Sequence, residues 1–249
     1  MLWTRPFFFF ATALTAVLAL GFLLNAPWAT WIWPFYTYRM ARIFIASILL
    51  AVAAPIFLIG LTRDWAAVRG GAINLAVMFA IMAIWTLLQG GPFRVTVFGT
   101  VAALFAMFQL LLVRLARPFG FLDPRPTPRL VIWSFAGFVL LLVPVGLALV
   151  LRVPNVLPWS VSANVSVLYG AVFLGAACYF AFAILTGVWS TARGPLLGFL
   201  AYDLVLIGPF LSQLSTVSGR YRTSLVVYTA VVVYSGLLAA FYLLRGPRK

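Results

Sequence analysis

The sequence predicts an all-α integral membrane protein with about eight transmembrane helices, arranged as two parallel four-helix repeats. Three observations support this prediction. Hydrophobic residues make up 65% of the 249 positions and charged residues 8%. The apolar residues form blocks long enough to cross a bilayer, which takes about 20 residues per helix. These blocks also superimpose when the chain is shifted by 124 residues.

The composition excludes a water-soluble protein. The only acidic residues are Asp64, Asp123 and Asp203, and the chain has no Glu and no His. So few charges could not cover the surface of a soluble domain of this length. The expected location is the cell inner membrane.

Eight apolar blocks are separated by connecting stretches that hold nearly all of the Arg, Pro and Asn residues. This punctuation is expected, because backbone groups within hydrocarbon must satisfy their own hydrogen bonds. The seventh block is short, contains Asp203 and approaches Gly208 and Pro209. The blocks run over Phe7–Leu24, Met40–Leu61, Ala72–Leu88, Val95–Val113, Leu130–Leu151, Val165–Val188, Leu196–Leu211 and Thr223–Leu244.

The first block resembles a signal peptide in having Arg5 before an apolar run. However, Phe7–Leu24 is longer than a usual signal-peptide core, and no small-x-small cleavage site closes it. We therefore interpret it as a retained first helix.

The net charge of +14 predicts membrane topology rather than nucleic-acid binding, because the basic residues are scattered through the loops and form no single face. With eight spans, the side that carries both termini holds 11 basic residues and the other side holds 6. The positive-inside rule then places both termini in the cytoplasm. Anionic lipid head groups are the expected partners of the excess charge. The second side carries Arg39, Arg42, Arg94, Arg152, Arg220 and Arg222, and the first carries the rest, including Arg248 and Lys249.

The predicted repeat depends on rarer residues that coincide at one gap-free offset. The segment LTRDWAAVRG, residues 61–70, matches LTGVWSTARG, residues 185–194, at five of ten positions. Four spans per half is an even number, so the halves point the same way about an axis along the membrane normal. The predicted boundaries are residues 1–113 for the first half, a Pro/Arg-rich linker over 114–129, and residues 130–249 for the second half. The other coinciding pairs are Arg5 with Arg129, Pro34 with Pro158, Leu87 with Leu211, and Gln89 with Gln213.

Asp203 is the sharpest candidate for a functional residue. A charged side chain at the bilayer centre costs about 2.5–3.5 kcal/mol on insertion scales, so it should be protonated, paired or facing a wet cavity. A proton or cation site is one interpretation, and a hydrogen bond to a neighbouring helix is the structural alternative. Gln89 and Gln213 end the third and seventh spans and either join helices or line a polar pathway.

A second candidate set combines Arg and Trp on the side of the termini. Guanidinium groups match phosphate oxygens, so these residues could contact an anion or lipid head groups, whereas the ordinary interpretation is positive-inside anchoring with an aromatic belt. The set is Arg5, Trp65, Arg69, Arg129, Trp189 and Arg193.

Two further features favour structural roles. The aromatic segment Asn25–Tyr38, which includes Tyr36, is typical of a membrane interface, with partner docking as the alternative. Small residues in the second and sixth spans, such as Ala46 and Gly175, predict close helix packing. The single cysteine, Cys178, lies within the sixth span and excludes an intramolecular disulfide.

Catalysis is not expected of this chain. Without His, a Ser–His site, a His-ligated metal and a His-ligated haem are all impossible. No acids have the spacing of a metal-dependent transferase, and no Gly-rich phosphate loop occurs. We therefore predict no enzyme activity and no cofactor.

Two functions remain open. The first is a small transporter or channel for a small, anionic or lipid-like solute, which the repeat and Asp203 favour. The second is a non-catalytic accessory or assembly subunit of a larger membrane complex, which the scarcity of embedded polar residues favours. Protein partners or a homo-oligomer are compatible with either.

Overall fold

The structure is a computed structural model that describes residues 4–35, 38–217 and 219–246, with the backbone alone for Thr4 and Arg220. Four features named above lie outside the described part: Tyr36, Arg248, Lys249 and the side chain of Arg220.

The described residues are all-helical, as predicted, and form nine α-helices without a β-strand. Eight of these helices are long and apolar enough to cross a membrane, and their number equals that of the predicted apolar blocks. The remaining helix, α2, has only six residues and lies between the first two spans. The helices are α1 (Thr4–Leu23), α2 (Pro27–Ile32), α3 (Arg39–Thr62), α4 (Val68–Gln89), α5 (Phe93–Ala116), α6 (Arg129–Val150), α7 (Ala163–Thr186), α8 (Trp189–Gln213) and α9 (Arg220–Arg245).

The helix ends differ most from the hydropathy pattern at the seventh span. We expected a short helix from Leu196, but α8 begins at Trp189 and has 25 residues, with Asp203 near its middle. An arginine in the first turns of a helix can extend its side chain to the membrane surface while its backbone stays helical. Arg193 therefore interrupts the hydropathy of the segment without ending the helix.

Four inner helices form the centre of the bundle. α3 packs against α8, and α4 packs against α7. Each inner helix also carries one outer helix: α1 lies on α3, α5 on α4, α6 on α7, and α9 on α8.

Small residues set the distance between the inner helices. A Cβ atom added to Gly175 of α7 would lie 2.6 Å from the carbonyl oxygen of Asn74 on α4. A Cβ atom added to Gly198 of α8 would lie 3.0 Å from the carbonyl oxygen of Ala51 on α3. Both crossings bring backbone close to backbone, as glycine and alanine allow in membrane bundles.

The linker between α5 and α6 lies across one end of the bundle, the end where α1 begins and α9 ends, which we call the terminal end. It spans residues 117–128, because α5 continues to Ala116. Its backbone pairs with the turn between α7 and α8: Thr127 N donates to Gly187 O at 2.8 Å, and Trp189 N donates to Arg125 O at 2.7 Å. Asp123 N donates to Ser190 Oγ at 2.8 Å. The linker is thus held to the second half of the chain by hydrogen bonds.

Candidate functional site

A cavity of about 320 Å³ lies among α3, α4, α6, α7, α8 and α9. It separates two apolar clusters, one around Phe44 and Phe210 at the far end of the bundle and one around Phe135 and Trp189 at the terminal end. Its walls are largely apolar, and aromatic side chains make up much of them. The aromatic side chains are Phe44, Phe138, Phe173, Tyr179, Phe180, Phe199, Tyr202 and Tyr228.

Asp203 borders this cavity and is 4% exposed. Its Oδ2 accepts a hydrogen bond from Ser235 Oγ of α9 at 2.8 Å, and the same hydroxyl also contacts Val231 O at 2.8 Å. Its Oδ1 is buried and has no hydrogen-bond partner. Of the side chains that the structure describes, no Arg lies within salt-bridge distance of the carboxylate. The carboxyl group therefore has one oxygen held by the protein and one without a partner.

Tyr228 supplies a second unsatisfied polar group. Its hydroxyl is buried without a partner, and its side chain lines the same cavity. A buried polar group left unpaired costs about 1–3 kcal/mol, so such groups are rare and call for an explanation. Two of them on one apolar cavity indicate that the cavity can accept a polar group from a solute or from water.

The cavity reaches the outside of the bundle between α6 and α9. Near the terminal end these helices meet through a hydrogen bond of 2.7 Å between Ser134 Oγ and Tyr234 Oη. Further along, the cavity is lined by Leu141 of α6 and Val227 of α9, which are 38% and 48% exposed. Both residues lie in helices that are long and apolar enough to span a membrane. The cavity lining therefore includes exposed side chains along α6 and α9, and it also includes Thr223 and Ser224 in the first turns of α9.

Gln89 and Gln213 do not join Asp203. Each is the last residue of its helix, α4 and α8 respectively. Gln213 follows Asp203 by ten residues, or about 15 Å along a helix that rises 1.5 Å per residue. Gln89 is exposed and Gln213 is half-buried. The three predicted polar residues thus belong to separate places.

Arg5, Trp65 and Arg69 of the predicted Arg/Trp set lie at the terminal end of the first half. Arg5 Nε donates to Gly60 O at 3.2 Å, and Arg69 Nε donates to Ala66 O at 3.2 Å. The Arg69 guanidinium also lies 4.7 Å from the ring centre of Phe121 in the linker. The Trp65 ring lies 5.2 Å from that of Phe8.

Trp189, Arg193 and Arg129 lie at the same end of the second half, but their environments differ. Trp189 is 4% exposed and packs in an apolar cluster with Phe135, whereas Arg129 is exposed. Arg193 is half-buried. The structure therefore gives the two tryptophans packing partners inside the protein.

Asp123 of the linker adds an ion pair beside these residues. Its carboxylate accepts hydrogen bonds from Arg125 Nε at 2.9 Å and Nη2 at 2.7 Å. These bonds lower the pKa of Asp123, with a smaller contribution from the positive charge of Arg193. The pair orders the linker at the surface of the terminal end.

Metal binding has no support among the described residues. They contain no group of three or more His, Cys, Asp or Glu side chains close enough to hold an ion. Cys178 is a half-buried free thiol.

Sequence reasoning missed most of the polar side chains of the cavity, among them Tyr202, Tyr228 and Ser235. A signal for two of them exists on α9. Tyr228, Val231, Val232 and Ser235 follow the i, i+3, i+4, i+7 spacing of one helical face, and all four line the cavity. Because two of the four residues are polar, this face differs from the lipid-facing sides of the spans. Only packing, however, shows that it faces Asp203.

Comparisons with known proteins assign no function to this site. No family model, curated protein or solved structure matches the chain.

Proposed function

We propose that the protein is a small membrane transporter for a solute with an apolar body and a polar group. The observation that carries this proposal is the cavity inside the bundle, which has Asp203 on its wall and exposed side chains of α6 and α9 in its lining. A solute that partitions into the bilayer could enter between these two helices. Largely apolar pockets with a few convergent polar groups are the usual form of small-molecule sites.

The proposed architecture is a pair of parallel four-helix halves related by a two-fold axis along the membrane normal. The helix pairing supports it, because exchanging the halves turns the α4–α7 contact into the α8–α3 contact. The crossings support it as well. Gly175 against Asn74 becomes Ala51 against Gly198 at the offset of 124 residues, and these are the close approaches found in the two contacts.

The halves differ at the cavity. At the predicted offset, Asp203 corresponds to Phe79, whose ring stacks on Phe105 at 5.4 Å. On the outer helices, α9 carries smaller residues than α5 does. Val231, Val232 and Ser235 stand where α5 has Met107, Phe108 and Leu111. Met107, Phe108 and Leu111 are 67%, 37% and 50% exposed, so these positions of α5 face the outside of the bundle, and a single site is proposed.

The proposed setting is the cell inner membrane with both termini in the cytoplasm. Arginines of the terminal end, including Arg5, Arg129 and Arg193, would then contact anionic lipid head groups. We propose no enzyme activity. The absence of His and the separation of the three acids along the chain support this proposal.

The test is flux through proteoliposomes that contain the purified full chain. Three radiolabelled probes represent three solute charges: phenyltrimethylammonium, benzenesulfonate and phenyl β-glucoside. We expect at least one probe to move faster than in empty liposomes. Val231→Met, which fills the cavity with the side chain that α5 carries at the corresponding position, should reduce this flux at least tenfold.

A matched control variant is Val226→Met, because Val226 is 49% exposed on the same helix and is not part of the cavity lining. It should leave the flux unchanged. Absence of flux for all three probes would contradict the transport proposal.

The second candidate function, an accessory subunit of a membrane complex, is favoured by the scarcity of embedded charge. Of the three acids, Asp203 alone lies inside a membrane-spanning helix, and a hydrophilic path needs more polar groups than this. Native mass determination after gentle extraction from the source membrane distinguishes the two. Stoichiometric partner subunits would favour the accessory role, and a lone protein or a homo-oligomer would favour transport.

A further inference from the structure

We propose that the cavity is a binding site for an organic cation, an ammonium group carrying an apolar substituent, with Asp203 as its counter-charge. This inference rests on the proposed function for the kind of solute involved, but binding at the site does not require transport.

The charge of the ligand follows from the groups that line the cavity. Asp203 is the only charged residue among the lining residues, and neither Arg nor Lys is one of them. An anionic solute would meet the carboxylate without a compensating cation. A cationic solute would instead pair with it, and pairing is what a buried carboxylate otherwise lacks here.

The geometry of the carboxyl group agrees with this charge. Ser235 occupies Oδ2 and thereby orients the group, whereas the buried Oδ1 has no donor. The positive end of an organic cation beside Oδ1 would balance the charge of the carboxylate. The Tyr228 hydroxyl adds a second oxygen without a partner to the cavity wall.

The aromatic walls provide the second part of the recognition. The faces of Phe, Tyr and Trp rings attract organic cations through the ring quadrupole, and clusters of such rings bind quaternary ammonium groups. Phe138, Phe180 and Phe199 lie against one another, with ring centres 4.6–5.7 Å apart. All three line the cavity together with Asp203.

An inorganic metal ion fits these walls poorly. Such ions take several oxygen, nitrogen or sulfur ligands at once. The cavity offers one carboxylate among mostly apolar side chains, and the described residues include no ligand cluster. An ammonium group with an apolar substituent needs only the charge and the rings.

The experiment measures equilibrium binding to the purified full chain in nanodiscs. The probe is radiolabelled phenyltrimethylammonium, and the competitor is tert-butylbenzene, which has the same shape but no charge. We expect saturable binding of one cation per chain. Unlabelled phenyltrimethylammonium should compete at least tenfold more strongly than tert-butylbenzene. This comparison uses the unaltered protein and does not depend on how a variant folds.

Two variants then locate the site. Asp203→Asn keeps the size of the side chain but removes its charge, and it should weaken binding at least tenfold. Asp123→Asn makes the same substitution in the linker, outside the cavity lining, so binding should stay within about threefold. Unchanged binding in Asp203→Asn, or equal competition by the neutral compound, would overturn the proposal.

The outcome is separable from that of the transport proposal. Asp203-dependent binding without flux of any probe would support the cation site and contradict transport. Flux of benzenesulfonate or phenyl β-glucoside, without binding of phenyltrimethylammonium, would support transport and contradict the cation site.

Discussion

At the scale of single residues, Asp203 illustrates what a hydropathy pattern does and does not predict. The pattern places an acid in the middle of an apolar run, and the structure confirms that it lies well inside α8. The side chains around it come from helices distant in the chain, such as Ser235 of α9 and Phe138 of α6. No local pattern identifies these partners, because they depend on which helices pack together.

Arg63 provides a second comparison at this scale. It follows α3 with φ of 60° in the left-handed region, and its backbone N–H donates to Ile59 O. Gly187 occupies the corresponding place after α7 with φ of 64°. The same helix ending is thus made by a glycine in one half and by an arginine in the other. Residues with a Cβ atom are strained in this conformation, whereas glycine adopts it freely.

We predict that Arg63→Gly stabilises the protein by about 1 kcal/mol, because glycine relieves this strain. The measurement is the thermal midpoint of the purified protein in detergent. Arg63→Ala removes the charge but keeps a Cβ atom, so it should not raise the midpoint. An equal gain in both variants would assign the effect to charge and contradict the conformational explanation.

At the scale of elements, the small residues of α3 and α7 explain why these helices lie at the centre. Apolar packing alone does not select which membrane helices meet, because lipid tails are as apolar as leucine side chains. Close backbone approach does select them. Gly175 of α7 allows that approach to Asn74 of α4.

We predict that Gly175→Ala destabilises the protein by about 1–3 kcal/mol, the usual cost of overpacking a tight contact. The added Cβ atom would meet the backbone oxygen of Asn74, which cannot rotate away as a side chain can. Gly137→Ala on α6 is the matched control, because no other heavy atom lies within 4 Å of its added Cβ. A similar loss of thermal stability in both variants would contradict the role of this crossing.

At the scale of the whole molecule, the distribution of basic residues predicts which end of the bundle faces the cytoplasm. Helix packing does not determine this orientation. The structure provides a reporter site at each end. Leu122 of the linker is 60% exposed at the terminal end, and Val153, in the loop after α6, is 47% exposed at the opposite end. Both are expected to tolerate a small side chain.

We predict that a cysteine replacing Val153 reacts with a membrane-impermeant maleimide in intact spheroplasts. A cysteine replacing Leu122 should react only after lysis, because the proposed orientation places the terminal end in the cytoplasm. Both variants are made in a Cys178→Ser background, so that labelling reports the introduced thiol. The reverse labelling pattern would contradict cytoplasmic termini.

The sequence alone predicted the helical class and the eight apolar spans, because bilayer thickness dictates the length and composition of each spanning segment. It predicted less about the site. Gln89 and Gln213 share the polar character of Asp203 but lie at helix ends, and the Arg/Trp set divides between separate contacts. A polar residue in an apolar segment is a candidate functional residue, but the pattern does not predict which other side chains it contacts.

The sequence by itself determined that this protein is made of helices long and apolar enough to span a membrane and that one acid, Asp203, lies well inside one of them. Both follow from local physical chemistry, because the free energy of transferring a segment into an apolar environment depends on the side chains of that segment. Only the tertiary structure decided that α9 packs on α8 beside a cavity and that Ser235 and Tyr228 share this cavity with Asp203. These contacts depend on the volumes of side chains from six helices, which no single segment of the chain contains.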